Sequence, residues 1–291
     1  KEEQYLTNEW RIKPVVPGQV SIYFPADKET SNLRFHLHAP FASTIARDSV
    51  RDCSANNELR DHLKKLITES MTTIRDQGLL TVGFLATLPN DKDNLSSFYK
   101  PILDSLIRAF QCEKLTPMKQ GGHAPANKIF RGPAQLSNLI SDGDLATILG
   151  KGYLPPLWVA NPPQRNQRED SFLSSLEIKE WTTEDLINAL NSQPNQIENL
   201  MAAKTDEWHH GLYALLSEYL AHSVNKSLMT LRIVRISDGT YRIGKDCFFP
   251  GDGIDHDDFM PRVAKGVYTS GKNEQQQKKA KEFLEEVGVR E

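Results

Sequence analysis

The sequence predicts an α+β fold, in which a small sheet and a long helix precede two tandem units, each built from a helix and a β-hairpin. Three observations support this prediction. The first fifth of the chain alternates apolar and polar residues with the period of a strand, an amphipathic stretch follows with the period of a helix, and one helix-and-hairpin pattern then occurs twice. The expected parts are residues 1–90, 91–195 and 196–291.

Two short strands are expected near the start of the chain, over residues 19–25 and 32–38. Their apolar residues alternate with polar neighbours, as in half-buried strands: Val20, Ile22, Phe24, Leu33, Phe35 and Leu37. The connector between the strands is rich in turn-forming residues, so an antiparallel pair is the simplest arrangement. Pro40 is expected to end the second strand.

A long helix is expected from about Asn57 to Asp76, because apolar residues recur there every three or four positions and so share one helix face. These residues are Leu59, Leu63, Leu66, Ile67, Met71 and Ile74. A polar residue at position 54, 56 or 57 is expected to cap the helix, and Gly78 to end it. The pattern of the apolar stretch 79–88 favours another helix, with a buried strand as the alternative.

One pattern occurs twice in the rest of the chain. Residues 115–130 (LTPMKQGGHAPANKIF) align without gaps with residues 233–248 (IVRISDGTYRIGKDCF), which pairs Gly121 with Gly239. Each stretch follows an amphipathic helix, and each is followed by a similar helix end, FLSSLEIKE or FLEEVGVRE. The shared order of helix, strand, glycine turn, strand and terminal helix predicts a tandem repeat.

Composition and charge exclude several classes of protein. Lys plus Arg number 35 and Asp plus Glu number 38, for a net charge of −3, so the whole chain has no electrostatic reason to bind nucleic acid or an acidic membrane. Three cysteines make no disulfide framework, which favours a cytoplasmic protein. No stretch approaches the ~20 apolar residues of a membrane span. The chain starts at Lys1, and we expect it to be a fragment of a longer protein.

The sequence shows no motif for an active site of its own. The glycines match no phosphate-binding loop, and no nucleophile motif is present. His36 and His38 lie on one face of a strand, but two ligands do not complete a zinc site, and no suitably spaced third ligand follows. We therefore expect no cofactor and no metal in this chain.

The stretch 153–170 (YLPPLWVANPPQRNQRED) has two explanations. Its proline pairs favour an extended backbone. It could be a structured loop that packs Trp158 onto the repeat. It could also contact a protein partner through Trp158, Arg165 and Arg168, since Trp and Arg are frequent in interface hot spots.

Residues 24–71 resemble a known family. In FPADKETSNLRFHLHAPFASTIARDSVRD, two strands, a Phe-Ala corner and an Ala-Arg-Asp step lead into the helix NNELRDHLKKLITESM. This pattern resembles the middle, or transducer, region of GHKL ATPases, most of all the sacsin-like branch and more distantly the ninety-kilodalton heat-shock chaperones. The tandem units are similar to the C-terminal flanks of sacsin-like ATPase modules. The resemblance covers about the first 90 residues and extends weakly beyond them.

The resemblance implies a role for Arg47. In the family, the matching arginine reaches the terminal phosphate of the nucleotide when the ATPase closes, and Arg51 is the alternative for this role. Without such a role, Arg47 would be expected to pair with Asp48, Asp52 or solvent. The family's nucleotide pocket needs a helix with Glu and Asn, an Asp-x-Gly-x-Gly turn and a glycine-rich lid, and this sequence has none of them.

The chain alone is therefore not expected to bind ATP. The resemblance places the nucleotide-binding domain, with its ATP and Mg²⁺, before Lys1, and implies that this chain couples ATP-driven closure to a protein client. Two alternatives stay open. The chain could be a stand-alone protein-binding or scaffold module with no link to ATP, or part of a nucleic-acid-transacting or defence ATPase. The lysines near the C-terminus that favour the last alternative are largely offset by neighbouring glutamates.

Overall fold

The computed structural model describes residues 10–150, 157–162, 164, 166–223, 226–251, 260–271 and 273–291. It confirms the α+β class, since helices alternate with small two- and three-stranded sheets. None of the helices in these ranges combines the length and the apolar character needed to cross a membrane.

The elements follow one another in mixed order along the chain. The helices are α1 (Ser54–Asp76), α2 (Lys100–Cys112), α3 (Ala134–Leu139), α4 (Asp142–Leu149), α5 (Arg168–Ser175), α6 (Thr183–Ser192), α7 (Pro194–Ala202), α8 (Asp206–Leu220), α9 (Gly266–Thr269) and α10 (Glu274–Glu286). The strands are β1 (Val20–Ser21), β2 (Leu37–His38), β3 (Thr116–Pro117), β4 (His123–Ala124), β5 (Ile129–Arg131), β6 (Leu157–Trp158), β7 (Lys179–Glu180), β8 (Val234–Arg235) and β9 (Tyr241–Arg242). Short 3₁₀ helices cover Gly83–Thr87, Ala126–Lys128, Lys226–Thr230 and Gly244–Asp246.

The chain divides into two compact units. The first comprises Lys1–Phe130 and Leu157–Lys179, and the second comprises Arg131–Pro156 and Glu180–Glu291. This division differs from the predicted boundaries near residues 90 and 195. The physical reason is that α1 packs on α2 and one apolar core runs from Val20 to Ile178, so the first 90 residues share their core with the first repeat copy.

The two N-terminal strands are shorter than predicted, and they pair in parallel rather than antiparallel. Val20 lies opposite Leu37, and Ser21 lies opposite His38. The antiparallel prediction was wrong because the chain turns back directly after β1, where Ser21 bridges Pro25. The connector then brings β2 in along the same direction as β1.

The long helix is confirmed as α1, whose apolar residues pack against the core of the first unit. Gly78 lies just past its end at φ +74°, as predicted. The predicted side-chain cap is absent, because the N-cap residue is Cys53 and makes no side-chain cap hydrogen bond. In the stretch 79–88 only a short 3₁₀ helix forms, with Phe84 and Leu85 buried. The predicted helix is therefore confirmed over Gly83–Thr87 only, as a 3₁₀ helix, and the alternative of a buried strand is wrong.

The tandem repeat is confirmed by the hydrogen-bonding register of the two hairpins. In the first, Thr116 lies opposite Ala124, and in the second, Val234 lies opposite Arg242, which are the positions that the sequence alignment pairs. Gly121 and Gly239 occupy equivalent turns at φ +90° and +85°.

The equivalence of the two copies extends past the hairpins. Met118 forms an antiparallel bridge to Val159, and Ile236 forms the corresponding bridge to Val263. The helix ends also agree, because Glu177 and Gly288 both have positive φ, at +53° and +98°. The two copies therefore share the hairpin, the bridge that follows it and the end of the terminal helix, and in each copy these parts lie within one unit.

Alanine substitutions in the two hairpin turns test the equivalence energetically. Gly121→Ala and Gly239→Ala should each lower the free energy of unfolding by about 1–2 kcal/mol, because an L-residue is strained at these φ values. No atom lies within 4 Å of the added Cβ in either case, so steric contact adds nothing. The measurement is urea unfolding, with Gly83→Ala as the control. Gly83 has no positive φ, and its added Cβ would lie 3.7 Å from the nearest atom. A loss at only one of the two turns would contradict the equivalence.

Candidate functional site

The residue that the family resemblance singles out, Arg47, lies in a closed loop between β2 and α1. We call Ala42–Arg51 the Arg47 loop. Ser43 and Val50 form an antiparallel bridge. The Thr44 amide donates to the Ser49 carbonyl at 3.1 Å, and the Arg51 amide donates to the Ala42 carbonyl at 2.9 Å. These contacts leave only residues 45–48 at the tip.

Asp48 holds the tip of the loop together. Its carboxylate accepts hydrogen bonds from the Thr44 hydroxyl at 3.1 Å and from the Ser49 hydroxyl at 3.2 Å. Lys28 lies 2.7 Å away as an ion pair. The hydrogen bond from Lys28, above all, holds the pKa of Asp48 below its ordinary value. The Asp48 carboxylate is thus engaged by residues other than Arg47.

The base of the loop is held by Asn56, in the first turn of α1. Its side-chain amide forms three hydrogen bonds, to the Ala42 amide, the Ala42 carbonyl and the Arg51 carbonyl. The loop is therefore fastened at its tip by Asp48 and at its base by Asn56.

Arg47 itself is exposed, and its side chain forms no hydrogen bond or ion pair with any described residue. Of the expected alternatives, an ion pair with Asp48 or Asp52 is not present, whereas contact with solvent is compatible with the exposure of Arg47. Its backbone lies in the left-handed region at φ +60°. Arg51 is also exposed but lies at the base of the loop, where the backbone hydrogen bonds close it. Of the two arginines, Arg47 is the one presented at the tip.

Trp158 does not lie on the surface, which corrects its candidate role in partner binding. It lies in β6, opposite Phe130 of β5, and is only 1% exposed. A side chain this buried contributes to the core and cannot contact another protein in this conformation. Of the two explanations for this stretch, the structure supports packing of Trp158 onto the repeat. Arg165 lies outside the described residues.

Arg168 also has a structural role, rather than the predicted partner contact. Its guanidinium forms a bidentate ion pair with Asp93, with Nη2 2.7 Å from Oδ2. It also donates to the carbonyls of Ala86 and Leu88, each at 2.9 Å. The Asp93 side chain is 5% exposed. Arg168 thus fixes the segment 86–93 onto α5 within the first unit.

The second unit contains a buried polar network for which the sequence analysis found no signal. His209 is 0% exposed, and burial lowers its pKa to about 4. One ring nitrogen, Nδ1, lies 2.8 Å from the Thr205 carbonyl, and the other, Nε2, lies 2.7 Å from the Tyr241 hydroxyl. Nδ1 also lies 3.4 Å from Arg235 Nη1, a donor, but its contact with the Thr205 carbonyl is much shorter. Because a carbonyl only accepts, Nδ1 carries the proton and Nε2 accepts from Tyr241. All donors and acceptors of this imidazole are used, which makes it structural.

A cleft of about 540 Å³ also lies in the second unit, between α3, α8 and the start of α10. His210 lines it and is almost fully buried, with no hydrogen-bond partner at Nε2. Lys279 and Glu218, which line the cleft as well, form an ion pair at 3.2 Å. No lining hydroxyl is hydrogen-bonded to His210 Nε2, so we assign no catalytic arrangement to the cleft.

The side chains that commonly ligate metals are dispersed in the described part of the chain. No group of three or more His, Cys, Asp or Glu residues there could hold an ion. His36, which lies just before β2, accepts a hydrogen bond at Nδ1 from the Gln19 amide at 3.0 Å.

Comparison with known proteins identifies no relative. No family model, no curated protein and no solved structure matches the chain. The resemblance to GHKL ATPases therefore rests on the sequence pattern of residues 24–71 and on its weaker extension into the repeat.

Proposed function

We propose that this chain is the non-nucleotide-binding portion of a GHKL-type, sacsin-like ATPase, in which Arg47 contacts the terminal phosphate of a nucleotide held by another domain. The observation that carries the proposal is the presentation of Arg47. Its guanidinium is exposed and unpaired among the described residues, on a loop that is fastened at both ends.

The chemistry of phosphate transfer supports this role. A guanidinium supplies a permanent positive charge and a fork of N–H donors that matches the oxygens of a phosphoryl group. Such a group is most effective when it is already in place before the reaction, because it then stabilises the developing charge without reorganisation. The fastened loop provides this preorganisation on the side of Arg47.

The backbone of Arg47 gives a second argument. A non-glycine residue in the left-handed region costs about 1–2 kcal/mol, and glycine would fit there without that cost. Arginine at φ +60° is therefore poorly explained by the stability of the turn alone. Strained positions of this kind cluster at functional sites.

The proposal also defines partners and location. ATP and Mg²⁺ bind the upstream domain of the same protein, and closure of that domain onto the Arg47 loop is transmitted to a protein client. The protein acts in the cytoplasm. Nucleic acid is not an expected partner, because the net charge of −3 provides no general attraction to it.

Substitution of Arg47 in the full-length ATPase tests the proposal. Arg47→Ala should lower ATP turnover by roughly 100-fold or more, the usual effect of losing one preorganised donor to a transition-state oxyanion. Nucleotide affinity should change much less, because the contact forms mainly on closure. Steady-state turnover and equilibrium nucleotide binding measure the two effects separately.

Two variants serve as controls. Arg51→Ala removes an exposed arginine from the base of the same loop and should leave turnover near that of the wild type. Arg47→Lys keeps the charge but not the fork of donors, and should recover only part of the activity. Wild-type turnover in Arg47→Ala would refute the proposal, whereas a loss confined to Arg51→Ala would transfer the role to Arg51.

A further inference from the structure

Asn56, in the first turn of α1, is hydrogen-bonded to both ends of the Arg47 loop. Its side chain is 0% exposed, and it uses both ends of its amide on the base of the Arg47 loop. Oδ1 accepts from the Ala42 amide at 2.8 Å, while Nδ2 donates to the Ala42 carbonyl at 2.8 Å and to the Arg51 carbonyl at 2.6 Å. One side chain of α1 thus joins the two ends of the loop.

We infer that Asn56 is a positioning residue for Arg47, an inference whose catalytic consequence rests on the proposed function. The three hydrogen bonds fix the backbone at positions 42 and 51, and the bridge between Ser43 and Val50 extends this constraint towards the tip. Because α1 is 23 residues long and packs on α2, it is a rigid support for the loop. A functional group held from a rigid element keeps its productive geometry.

The needs of the helix do not explain an asparagine at this position. Asparagine has a lower helix propensity than alanine, and it is favoured at helix starts only when its side chain caps backbone amides of the helix. Here the N-cap residue is Cys53, and the Asn56 amide bonds to the loop instead. Asn56 therefore stabilises the loop, although its helix propensity is lower than that of alanine.

Amide hydrogen exchange of the chain itself tests the positioning role independently of any activity. In Asn56→Ala, the amides of Thr44, Arg47 and Arg51, which are hydrogen-bonded within the loop, should exchange at least about 10-fold faster, because the base of the loop opens more readily. Amides in the middle of α1 should keep their wild-type rates.

The neighbouring Asn57→Ala is the matched control. Its side chain accepts from Arg60 Nη1 at 3.1 Å and has no hydrogen bond to the loop. Wild-type loop exchange is expected in this variant. If Asn56→Ala does not fold, Asn56→Ser takes its place, because a hydroxyl keeps a polar group there but cannot make all three hydrogen bonds. Unchanged loop exchange in the folded Asn56 variant would overturn the inference.

In the full-length ATPase, Asn56→Ala should lower turnover by about 10- to 100-fold, in line with the effect of misplacing a catalytic group by about 1 Å. Nucleotide affinity should stay within about twofold of the wild type. If Asn56 acts through Arg47, the double variant Arg47→Ala/Asn56→Ala should be no slower than Arg47→Ala alone. An additive loss would indicate a separate, structural role and overturn the inference.

These experiments separate the two ideas. Faster loop exchange in Asn56→Ala together with normal turnover in Arg47→Ala would refute the proposed function, while the fastening of the loop by Asn56 would stand. Slow turnover in Arg47→Ala together with unchanged loop exchange in Asn56→Ala would support the proposed function and overturn the inference about Asn56.

Discussion

Arg168→Ala should lower the free energy of unfolding of the chain by about 3–5 kcal/mol, the usual cost of removing one partner from a buried ion pair. Asp93, whose side chain is 5% exposed, would lose its bidentate ion pair. Its remaining close contacts would be the Asn90 amide at 2.9 Å and Arg34 at 4.0 Å. The carbonyls of Ala86 and Leu88 would lose their donor as well. Urea unfolding at neutral pH measures the loss.

Two variants calibrate this result. Arg168→Lys keeps the charge, but one ammonium cannot reproduce both the paired contact and the two carbonyl contacts, so the loss should be smaller but still clear. Lys65→Ala breaks an exposed helix pair with Glu69 at 3.7 Å and should cost less than about 0.5 kcal/mol. If Arg168→Ala cost no more than Lys65→Ala, the side chain would be free for a partner, as the sequence had indicated.

The contrast between Arg168 and Arg47 shows what sequence reasoning can reach. Both are arginines in polar, turn-rich stretches, and the sequence marks both as candidates for contacts with another molecule. Arg168 finds its carboxylate 75 residues away, in a stretch that no local pattern connects with it. Arg47 has an acidic neighbour in sequence, Asp48, which instead pairs with Lys28. The pairing of charges depends on tertiary structure, so adjacency in sequence predicted neither outcome.

The parts of the fold that were predicted correctly are local. The helix α1 and the two hairpins follow from spacing within about 20 residues, where apolar period and glycine turns determine the structure. The parallel pairing of β1 and β2 was missed because two-residue strands are too short to carry a directional pattern. The sequence left Trp158 open between packing onto the repeat and a partner contact, because its burial depends on β5, a strand more than 25 residues earlier.

The shared core of the first unit could not be predicted for a related reason. The repeat suggests that each copy forms its own domain, but the apolar core of the first copy is continuous with that of the first 90 residues. It shares α1 as a packing partner for α2, which joins it to the first 90 residues. The sequence repeat therefore identified the two copies of the backbone pattern, but it did not show which residues pack into one core.

Acidification should destabilise the chain through His209, by about 3 kcal/mol between pH 7 and pH 4. Burial lowers the pKa of His209 to about 4 in the folded state, with the Arg235 charge acting in the same direction and Asp206 opposing it. In the unfolded chain, the pKa of histidine is about 6.5. Between these two values the unfolded state binds the additional proton, so stability is greatest above about pH 6.5 and falls as the pH drops towards 4. The difference between a pKa of about 6.5 in the unfolded chain and about 4 in the folded state corresponds to about 3 kcal/mol in the free energy of unfolding.

The geometry explains why the folded state resists protonation. Nε2 accepts from the Tyr241 hydroxyl, and a proton on Nε2 would force that hydroxyl to give up its role as donor, in a place that water does not reach. Unfolding by urea at pH 7.5 and pH 4.5 should therefore show a smaller pH-dependent loss in His209→Gln than in the wild type. His62→Gln, on the exposed side of α1, should keep the wild-type difference. Equal pH dependence in the wild type and His209→Gln would mean that the buried imidazole can be protonated without cost, and that the hydrogen bond to Tyr241 does not determine its protonation state.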